Sequence, residues 1–363
     1  MSINRIGVVG CGNISDIYLT NLTGMFDGQV KVTALTDLKH ERAQNASVKY
    51  NIPYIKNTSD LINSPDVDIV LNITEPYNHY KIALETVKAG KHIYGEKPLC
   101  AEREEALEVL KLAAEKKLLV GNAPDTFLGA GIQTCRKIID EGRIGKPVAA
   151  TAFMVNHGHE SWHPGPEFYY KKGGGPMYDM GPYYLTALIT LMGPIARVSG
   201  STKKSYDKRT ITSEPLNGKE IDVDVPTHIA GTMDFASGAV GTIITSFDVY
   251  SHTLPCIEIY GSEGSLRVPD PNIFGGKVFI SRFREENWTE IPILKDYTEN
   301  SRGLGLVDMA DAVSTGKPHR ASGELAYHVL EIMHGFHDAS DSGTYYNLKS
   351  RCKQPEPLAR YSA

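Results

Sequence analysis

No apolar run in these 363 residues approaches the ~20 residues that a membrane-spanning helix needs, which argues against a membrane partner. No long basic run is present either. With 38 basic against 43 acidic side chains and a net charge of −5, the chain has no electrostatic footprint for nucleic acid or an anionic lipid surface. Cysteine is scarce: five residues, at 11, 100, 135, 256 and 352, odd in number and never spaced as CxxC. That excludes a disulfide framework and suits reduced thiols, so a cytoplasmic location is expected. The start, "MSINRIGVVG", lacks a charged n-region, a long apolar h-region and a cleavage site, so no signal peptide is expected. Internal repeats and low-complexity tracts are absent, which excludes a solenoid or a disordered linker protein.

What remains is an ordinary globular composition, 41% hydrophobic and 22% charged, in a chain long enough for two domains. The first 120 residues or so alternate strand-like and helix-like segments. "RIGVVG", "KVTALTD", "VDIVLNIT", "KHIYGE" and "KLLVGN" are buried-strand candidates. Between them, "HYKIALETVKAG" and "REEALEVLKLAAEKK" carry apolar residues in helical order. Such alternation predicts a doubly wound parallel sheet. The character changes near Ala123. A helix stopped by Gly142 gives way to strands in succession, including "PVAATAFMVN", "HIAGTMDFA", "AVGTIITSFDV" and "GSLRVP". Turn signals such as "ASG" and "SEG" join several of them, as in an antiparallel sheet. Two helices, "GLVDMADAVSTG" and "SGELAYHVLEIMHGFHDAS", precede an irregular tail from Gly343, with Ser322 as a candidate cap of the second. The division read from this pattern is a dinucleotide-binding domain over 1–123 and a substrate-binding, oligomerising α/β domain over 124–363.

"GVVGCGNIS" supplies Gly10-x-Gly12-x-x-Ser15 between a strand and a helix, with Asn13 and Ile14 inside the turn. Gly10 permits the tight turn, Gly12 lets backbone approach a pyrophosphate, and the helix N-terminus offers free N–H groups. Serine stands at the third position where Gly or Ala is usual. A plain glycine-rich turn would look similar, but an acid, Asp37, ends the second strand. A carboxylate there accepts the ribose hydroxyls of NAD and repels the 2′-phosphate of NADP. Lys39 and Arg42 are near enough in sequence to leave NADP possible.

"GEKP" follows the strand "KHIY", at the carboxyl edge where open α/β sheets bind ligands. Most lysines are solvated surface charges, but one held there can share a proton with a substrate oxygen. Together, "GVVGCGNIS", "NITEPYNHYKIALETVKAGKHIYGEKP" and "GGGPMYDMGPYY" resemble the glucose–fructose oxidoreductase/inositol dehydrogenase/rhizopine-catabolism (Gfo/Idh/MocA) family over nearly the whole chain. The resemblance implies a Rossmann domain, then an α/β domain on an open, largely antiparallel sheet through which members commonly form homo-oligomers (dimer, tetramer or higher). It implies NAD(P)-dependent oxidation of a sugar or cyclitol hydroxyl, or the reverse reduction. Lys97 matches the lysine of the EKP motif and Glu96 its neighbour near the nicotinamide ribose; a cis Lys97–Pro98 bond is also implied. Thr74 and His79 match the ends of a TPxxxH-like stretch on the cofactor side. Glu75 replaces the proline of that stretch, and Pro76 comes one residue later.

Asp179 matches the acid of the DxGxH motif, whose last position is Tyr183 instead of the more usual histidine. A spacing of four stacks Asp179 and Tyr183 on one helix face. A phenol near pKa ~10 needs help to move a proton at neutral pH, so Lys97 is expected to assist Tyr183 while Asp179 binds a hydroxyl. Upstream, "NHGHESWHPGPEFYYKKGG" is rich in rings suited to pyranose faces, with Trp162 and His163 as substrate-binding candidates. His157 and His159 alternate as on a strand but lack a third metal ligand of clear spacing, so no metal is expected. His328, Glu331, His334 and His337 are spread round a helix and read as surface or subunit contacts.

The expected activity is NAD-dependent oxidation of a secondary hydroxyl of a sugar or glycoside, with carbon 3 of a glucoside favoured and inositol an alternative substrate. A second class is a glycoside-cleaving enzyme that retains NAD and oxidises its substrate transiently. A third, a non-catalytic dinucleotide sensor, is disfavoured by intact Lys97, Asp179 and Tyr183.

Overall fold

The computed structural model describes residues 3–358. By their internal contacts the residues form two compact units, Met1–Leu128 with Asn300–Leu330, and Gly129–Glu299 with Glu331–Ala363.

The first unit is built on five strands: β1 (Asn4–Val9), β2 (Val30–Thr36), β3 (Ile69–Asn72), β4 (His92–Gly95) and β5 (Val120–Asn122). They are all parallel, in the order β2-β1-β3-β4-β5. Each of the four residues of β3 is buried, as strands covered on both faces must be. Helices α1 (Ser15–Thr23), α2 (His40–Tyr50), α3 (Thr58–Ile62), α4 (His79–Lys88) and α5 (Arg103–Glu115) make the crossovers. The start of α5 is fixed by reciprocal bonds between Glu102 and Glu105, a capping box that holds two otherwise unpaired backbone N–H groups. The registers align Thr36, Val9, Asn72, Gly95 and Asn122 in one row at the carboxyl ends of the strands. Asp37 and Gly10 therefore leave neighbouring strand ends, and Glu96 leaves the same edge two strands beyond Gly10, past β3.

The second unit starts with α6 (Ala130–Asp140), β6 (Pro147–Val155) and α7 (Pro176–Met192). Strands β7 (Ile195–Lys203), β8 (Lys208–Thr210), β9 (Glu220–Asp222), β10 (His228–Phe235), β11 (Val240–Ser246), β12 (Ile257–Gly261), β13 (Gly264–Val268), β14 (Val278–Arg282) and β15 (Thr289–Ile291) follow. Nine strands form one sheet, in the order β15-β14-β13-β12-β6-β11-β10-β7-β16, with the edge strand β16 being Tyr346–Asn347. Only β6 and β11 run parallel within it; the other pairs are antiparallel. Alternate residues Ile229, Met233 and Phe235 of β10 point into the core, against which α6 and α7 pack. The opposite face carries half-buried Thr151, Phe153, Thr232, Ile244 and Tyr260. A separate hairpin joins β8 and β9. The fold class expected from sequence is thus observed; the short strands β8, β9, β15 and β16 had no sequence signal. Residues 359–363 of the expected irregular tail lie outside the described residues.

Two helices end the chain, α8 (Leu304–Thr315) and α9 (Gly323–Ser342), and the Leu325 N–H donates to the Ser322 hydroxyl at 3.3 Å, the cap expected there. Asn300–Leu330 groups with the first unit, whereas the sequence reading placed it within 124–363. The reason is a set of specific ties. Asn21 Nδ2 donates to the Asn300 and Arg302 carbonyls, each at 2.9 Å, and the Asn122 N–H donates to the Ala321 carbonyl at 3.0 Å. His328 and Glu331, read as surface residues, are each 1% exposed. Glu331 accepts bonds from the Tyr346 hydroxyl and the Lys349 and Ser350 N–H groups, so it anchors the returning tail.

Asp125 is the costliest of these ties. It is 1% exposed, and its Oδ2 accepts the Gly303 and Gly305 N–H groups at the start of α8, at 2.9 and 3.0 Å. Burial pushes its pKa from 3.8 up to about 6, against the pull of those N–H groups and of Arg302. A raised carboxyl pKa means that stability from this group is complete below the unfolded value and is lost as pH rises through about 6. Asp125→Asn keeps an acceptor and removes the buried charge. The variant should match the wild type near pH 4 and exceed it at pH 7.5 by roughly 1–3 kcal/mol in urea unfolding. A variant less stable at pH 7.5 would show that the ionised bonds outweigh burial.

Candidate active site

In the first unit the site grows from backbone groups that the ladder no longer pairs. Gly10 has φ +105°, and a Cβ there would lie 2.8 Å from the Ile73 carbonyl oxygen, so only glycine allows the chain to turn against the end of β3. Gly12 is open by contrast: a Cβ would meet only the Arg42 guanidinium, at 4.0 Å. Asn13 is exposed and Ile14 half-exposed. Ile14, the N-cap of α1, gives no side-chain cap; the Ser15 N–H donates to the Gly12 carbonyl at 3.1 Å, and the start of the helix has no side-chain acceptor of its own for an incoming anion to displace. The Ser15 hydroxyl donates back to the Gly12 carbonyl at 2.6 Å, which accounts for serine at this position. Asp37 accepts the Cys11 N–H through Oδ2 and the Lys39 N–H through Oδ1, both at 2.7 Å. The carboxylate thus pins the glycine turn to β2.

Lys97 is half-buried two residues beyond β4, and its bond to Pro98 is cis. Its turn is held from several sides. Asn122 Nδ2 donates to the Gly95 and Glu96 carbonyls at 3.0 and 2.9 Å. Glu96 accepts the Lys97 N–H through Oε2 at 3.1 Å and the Tyr18 hydroxyl through Oε1 at 2.7 Å. Burial, then the Glu96 charge, holds the Tyr18 phenol well above its usual pKa, so it stays a donor. The His79 ring sits between two carbonyls, Nδ1 2.6 Å from that of Pro98 and Nε2 3.0 Å from that of Thr74, and as a neutral imidazole donates to one of them. His79 is 2% exposed and its pKa is pushed down by burial. A ring so placed braces two segments on the cofactor side of the sheet. Thr74, half-buried, turns its hydroxyl onto Asn72 Oδ1 at 2.8 Å. Tyr18, Asn72 and Asn122 had no signal in the sequence, because their importance comes from the row of strand ends.

In the second unit, three glycines set the geometry. Gly173 and Gly175 have φ +84° and +90°, and a Cβ on Gly174 would lie 2.6 Å from the Tyr169 carbonyl. The Gly175 N–H donates to that carbonyl, also at 2.6 Å. The start of α7 is therefore locked against Tyr169. Asp179 and Tyr183 sit one turn apart on α7, Asp179 with a side chain 16% exposed and Tyr183 8% exposed. His159 Nε2 lies 3.4 Å from Asp179 Oδ2, and the His159 ring stacks on Tyr169 with centroids 3.8 Å apart and planes at 9°. His163 is wedged among Trp162, Phe168 and Tyr169, all near-perpendicular to it. The Gly165 N–H donates to His163 Nδ1 at 3.1 Å, which puts the ring proton on Nε2 when the ring is neutral. Burial, then His159, pushes the His163 pKa down. Trp162 is 62% exposed.

A buried ion network carries this loop. Arg209 donates to Glu160 Oε1 at 2.9 Å, to the Phe247 carbonyl at 2.6 Å and to Asp248, and the Tyr170 hydroxyl donates to Glu160 Oε2 at 2.7 Å. Arg209 and Glu160 are each 7% exposed, a regime where deleting one partner costs about 3–5 kcal/mol. The Ser213 hydroxyl donates to the His163 carbonyl at 2.6 Å. Among the described residues no group of three or more His, Cys, Asp or Glu side chains is arranged to hold a metal ion.

The comparisons agree with this geometry. Residues 4–123 match the model of an oxidoreductase family with an NAD-binding Rossmann fold, and residues 132–267 match the GFO/IDH/MocA C-terminal domain. The inositol 2-dehydrogenase 3 of Saccharopolyspora erythraea is 26% identical over 277 residues, 74% of this chain and 73% of the relative. The 1,5-anhydro-D-fructose reductase of Ensifer adhaerens is 27% identical, over 73% of this chain and 75% of its own. The fold is also that of a levoglucosan dehydrogenase solved with NADH and levoglucosan, with TM-score 0.81 at 19% identity, covering 96% of this chain and 100% of the other. The open glycine turn, the uncapped start of α1 and Asp37 at the end of β2 fit a bound dinucleotide. The chain belongs to the GFO/IDH/MocA family and is an NAD-dependent oxidoreductase with an NAD-binding Rossmann fold.

Proposed function

We propose that this protein oxidises a secondary hydroxyl of a sugar or glycoside to a ketone, reversibly, with carbon 3 of a glucoside as the favoured position. The observation that carries the reading is the Lys97 turn: a half-buried lysine, its backbone held by Asn122, Glu96 and His79, at the carboxyl edge of an NAD-binding sheet. Relatives whose names specify inositol, anhydrofructose and levoglucosan support a polyol or sugar substrate. The ring-rich loop bearing Trp162 and His163 favours a pyranose with room for an aglycone over a small cyclitol. NAD, when held there, would supply the acceptor for the hydride of the carbinol carbon. Tyr183, reacting as the phenolate, takes the hydroxyl proton, Lys97 steadies the substrate oxygen as its negative charge grows, and Asp179 binds a neighbouring hydroxyl. His163, with its proton on Nε2, donates to a substrate oxygen. Asp37 takes the ribose hydroxyls, and the first-turn N–H groups beyond Gly10, Gly12, Asn13 and Ile14 take the pyrophosphate. Thr74 and Glu96 flank the nicotinamide end. Self-association through the Thr- and Ile-bearing face of the nine-stranded sheet is part of the same reading; light scattering would show a dimer or larger.

The direct test follows absorbance at 340 nm with NAD or NADP across glucosides, free sugars and inositols, and then locates the new carbonyl by NMR. A 3-keto glucoside with equimolar NADH is the expected product. Cleaved sugar without NADH would replace this reading by the NAD-retaining one, and turnover of inositols alone would move the substrate class.

Tyr183→Phe keeps the ring and its packing but removes the hydroxyl. It should lower kcat by roughly 10²–10⁴-fold with NADH affinity preserved. Lys97→Ala should lower kcat strongly, again with the cofactor bound normally. Normal turnover in either variant removes that residue from the proton path.

NAD should bind more tightly than NADP. Asp37→Ala should narrow that gap and weaken both cofactors, because it also releases the Cys11 N–H that pins the glycine turn. Arg42→Ala should weaken NADP more than NAD, since the guanidinium stands beside Gly12. Fluorescence titration of NADH and NADPH reads both, and an unaltered protein that prefers NADPH would refute the role given to Asp37.

A further inference from the structure

Asp179 does not meet Tyr183 alone on its helix; an imidazole from another segment faces it. His159 lies just after β6, is 7% exposed, and directs Nε2 at Asp179 Oδ2 from 3.4 Å. Its plane is fixed by the parallel stack on Tyr169 and by the edge contact with Phe247 at 4.7 Å between centroids. Tyr169 is itself locked to the start of α7 by the Gly175 N–H. His159 is thus held at the carboxylate through backbone, not by chance rotamer choice.

Simple packing does not account for this residue. His159 Nδ1 is buried without a hydrogen-bond partner among the described residues, a cost that a phenyl ring in the same stack would avoid. What the imidazole adds is Nε2 at Asp179. We propose that His159 is the positioning residue of Asp179: it fixes one carboxylate oxygen and pairs with its charge, so that the acid keeps one orientation and one protonation state toward the substrate. This rests on the dehydrogenase reading, in which Asp179 binds a substrate hydroxyl. The imidazole comes from the β6 loop, while the helix position one turn past Asp179 carries Tyr183.

The charged and titratable groups around His159 are few. Asp179 faces it from α7 and His163 from its own loop. Glu160, next in the chain, turns its carboxylate away to Tyr170 and Arg209, with Asp248 behind. The His163 ring turns its Nδ1 to the Gly165 N–H, so His159 is the imidazole whose Nε2 lies at Asp179 Oδ2.

Two measurements test the pair. The first needs no substrate: the His159 ring resonance, assigned by its loss in His159→Phe, is titrated in the wild type and in Asp179→Asn. Loss of the carboxylate should move the midpoint to lower pH by about one unit or more; an unchanged midpoint overturns the proposal. The second is kinetic. His159→Phe keeps the stack and should lower kcat/KM about tenfold or more, with the acidic limb of its pH profile displaced and NADH affinity unchanged. His159→Gln, which retains a donor, should recover part of the loss. A His159→Phe enzyme with wild-type kcat, KM and pH profile overturns the proposal. A wild type that turns over no sugar, cyclitol or glycoside would instead refute the dehydrogenase reading, and the titration would still decide the pair.

Discussion

At the carboxyl edge of a parallel sheet the ladder stops, and the backbone groups beyond it must find partners elsewhere or stay buried and unpaired at a cost of kilocalories. Thr36, Val9, Asn72, Gly95 and Asn122 end their pairing in one row. Side chains then take over. Asp37 receives N–H groups from the glycine turn, Asn122 serves the carbonyls before Lys97, Asn72 holds Thr74, and His79 joins Thr74 to Pro98. Asp37, Gly10, Thr74, Glu96 and Lys97 all leave the sheet within one or two positions of that row. The same bonds that satisfy the backbone also fix where a ligand can approach.

This double duty shapes the electrostatics. Glu96 stays anchored because Tyr18, buried and held protonated, donates to it from α1. Both oxygens of Asp37 already accept backbone N–H groups. A carboxylate still has lone pairs to spare for a further donor. Asp125 is the expensive member: it ties α8 to the first unit with two short bonds, but its burial raises its pKa to about 6.

The second unit obeys the same rule by other means. Helix α7 begins where three glycines let backbone touch backbone, and the ring-rich loop is held on the Glu160–Arg209–Asp248 network. Rings and donors keep fixed angles only on a supported loop; one with surface contacts alone would not hold them. The stack of His159 on Tyr169 and the Gly165 bond to His163 supply that order.

Local chemistry was sufficient for much of this. The parallel sheet followed from apolar runs alternating with amphipathic segments, because strand and helix periods are written in consecutive residues. The glycine turn, Asp37, Lys97 and the Asp179–Tyr183 spacing were legible for the same reason: each is a short-range pattern with a steric or electrostatic meaning. Residues whose role depends on what is far away in the chain were not legible. His79 became a brace, and His328 and Glu331 were interior, because burial is decided by packing partners. Asn300–Leu330 joined the first unit through bonds to Asn21, Asn122 and Asp125, none of which has a sequence pattern. The sequence singled out His163 as a substrate-binding candidate and gave His159, paired with His157, no such role. Only tertiary structure turned the His159 imidazole to a carboxylate across a gap in sequence and fixed the tautomer of His163 with a nearby N–H.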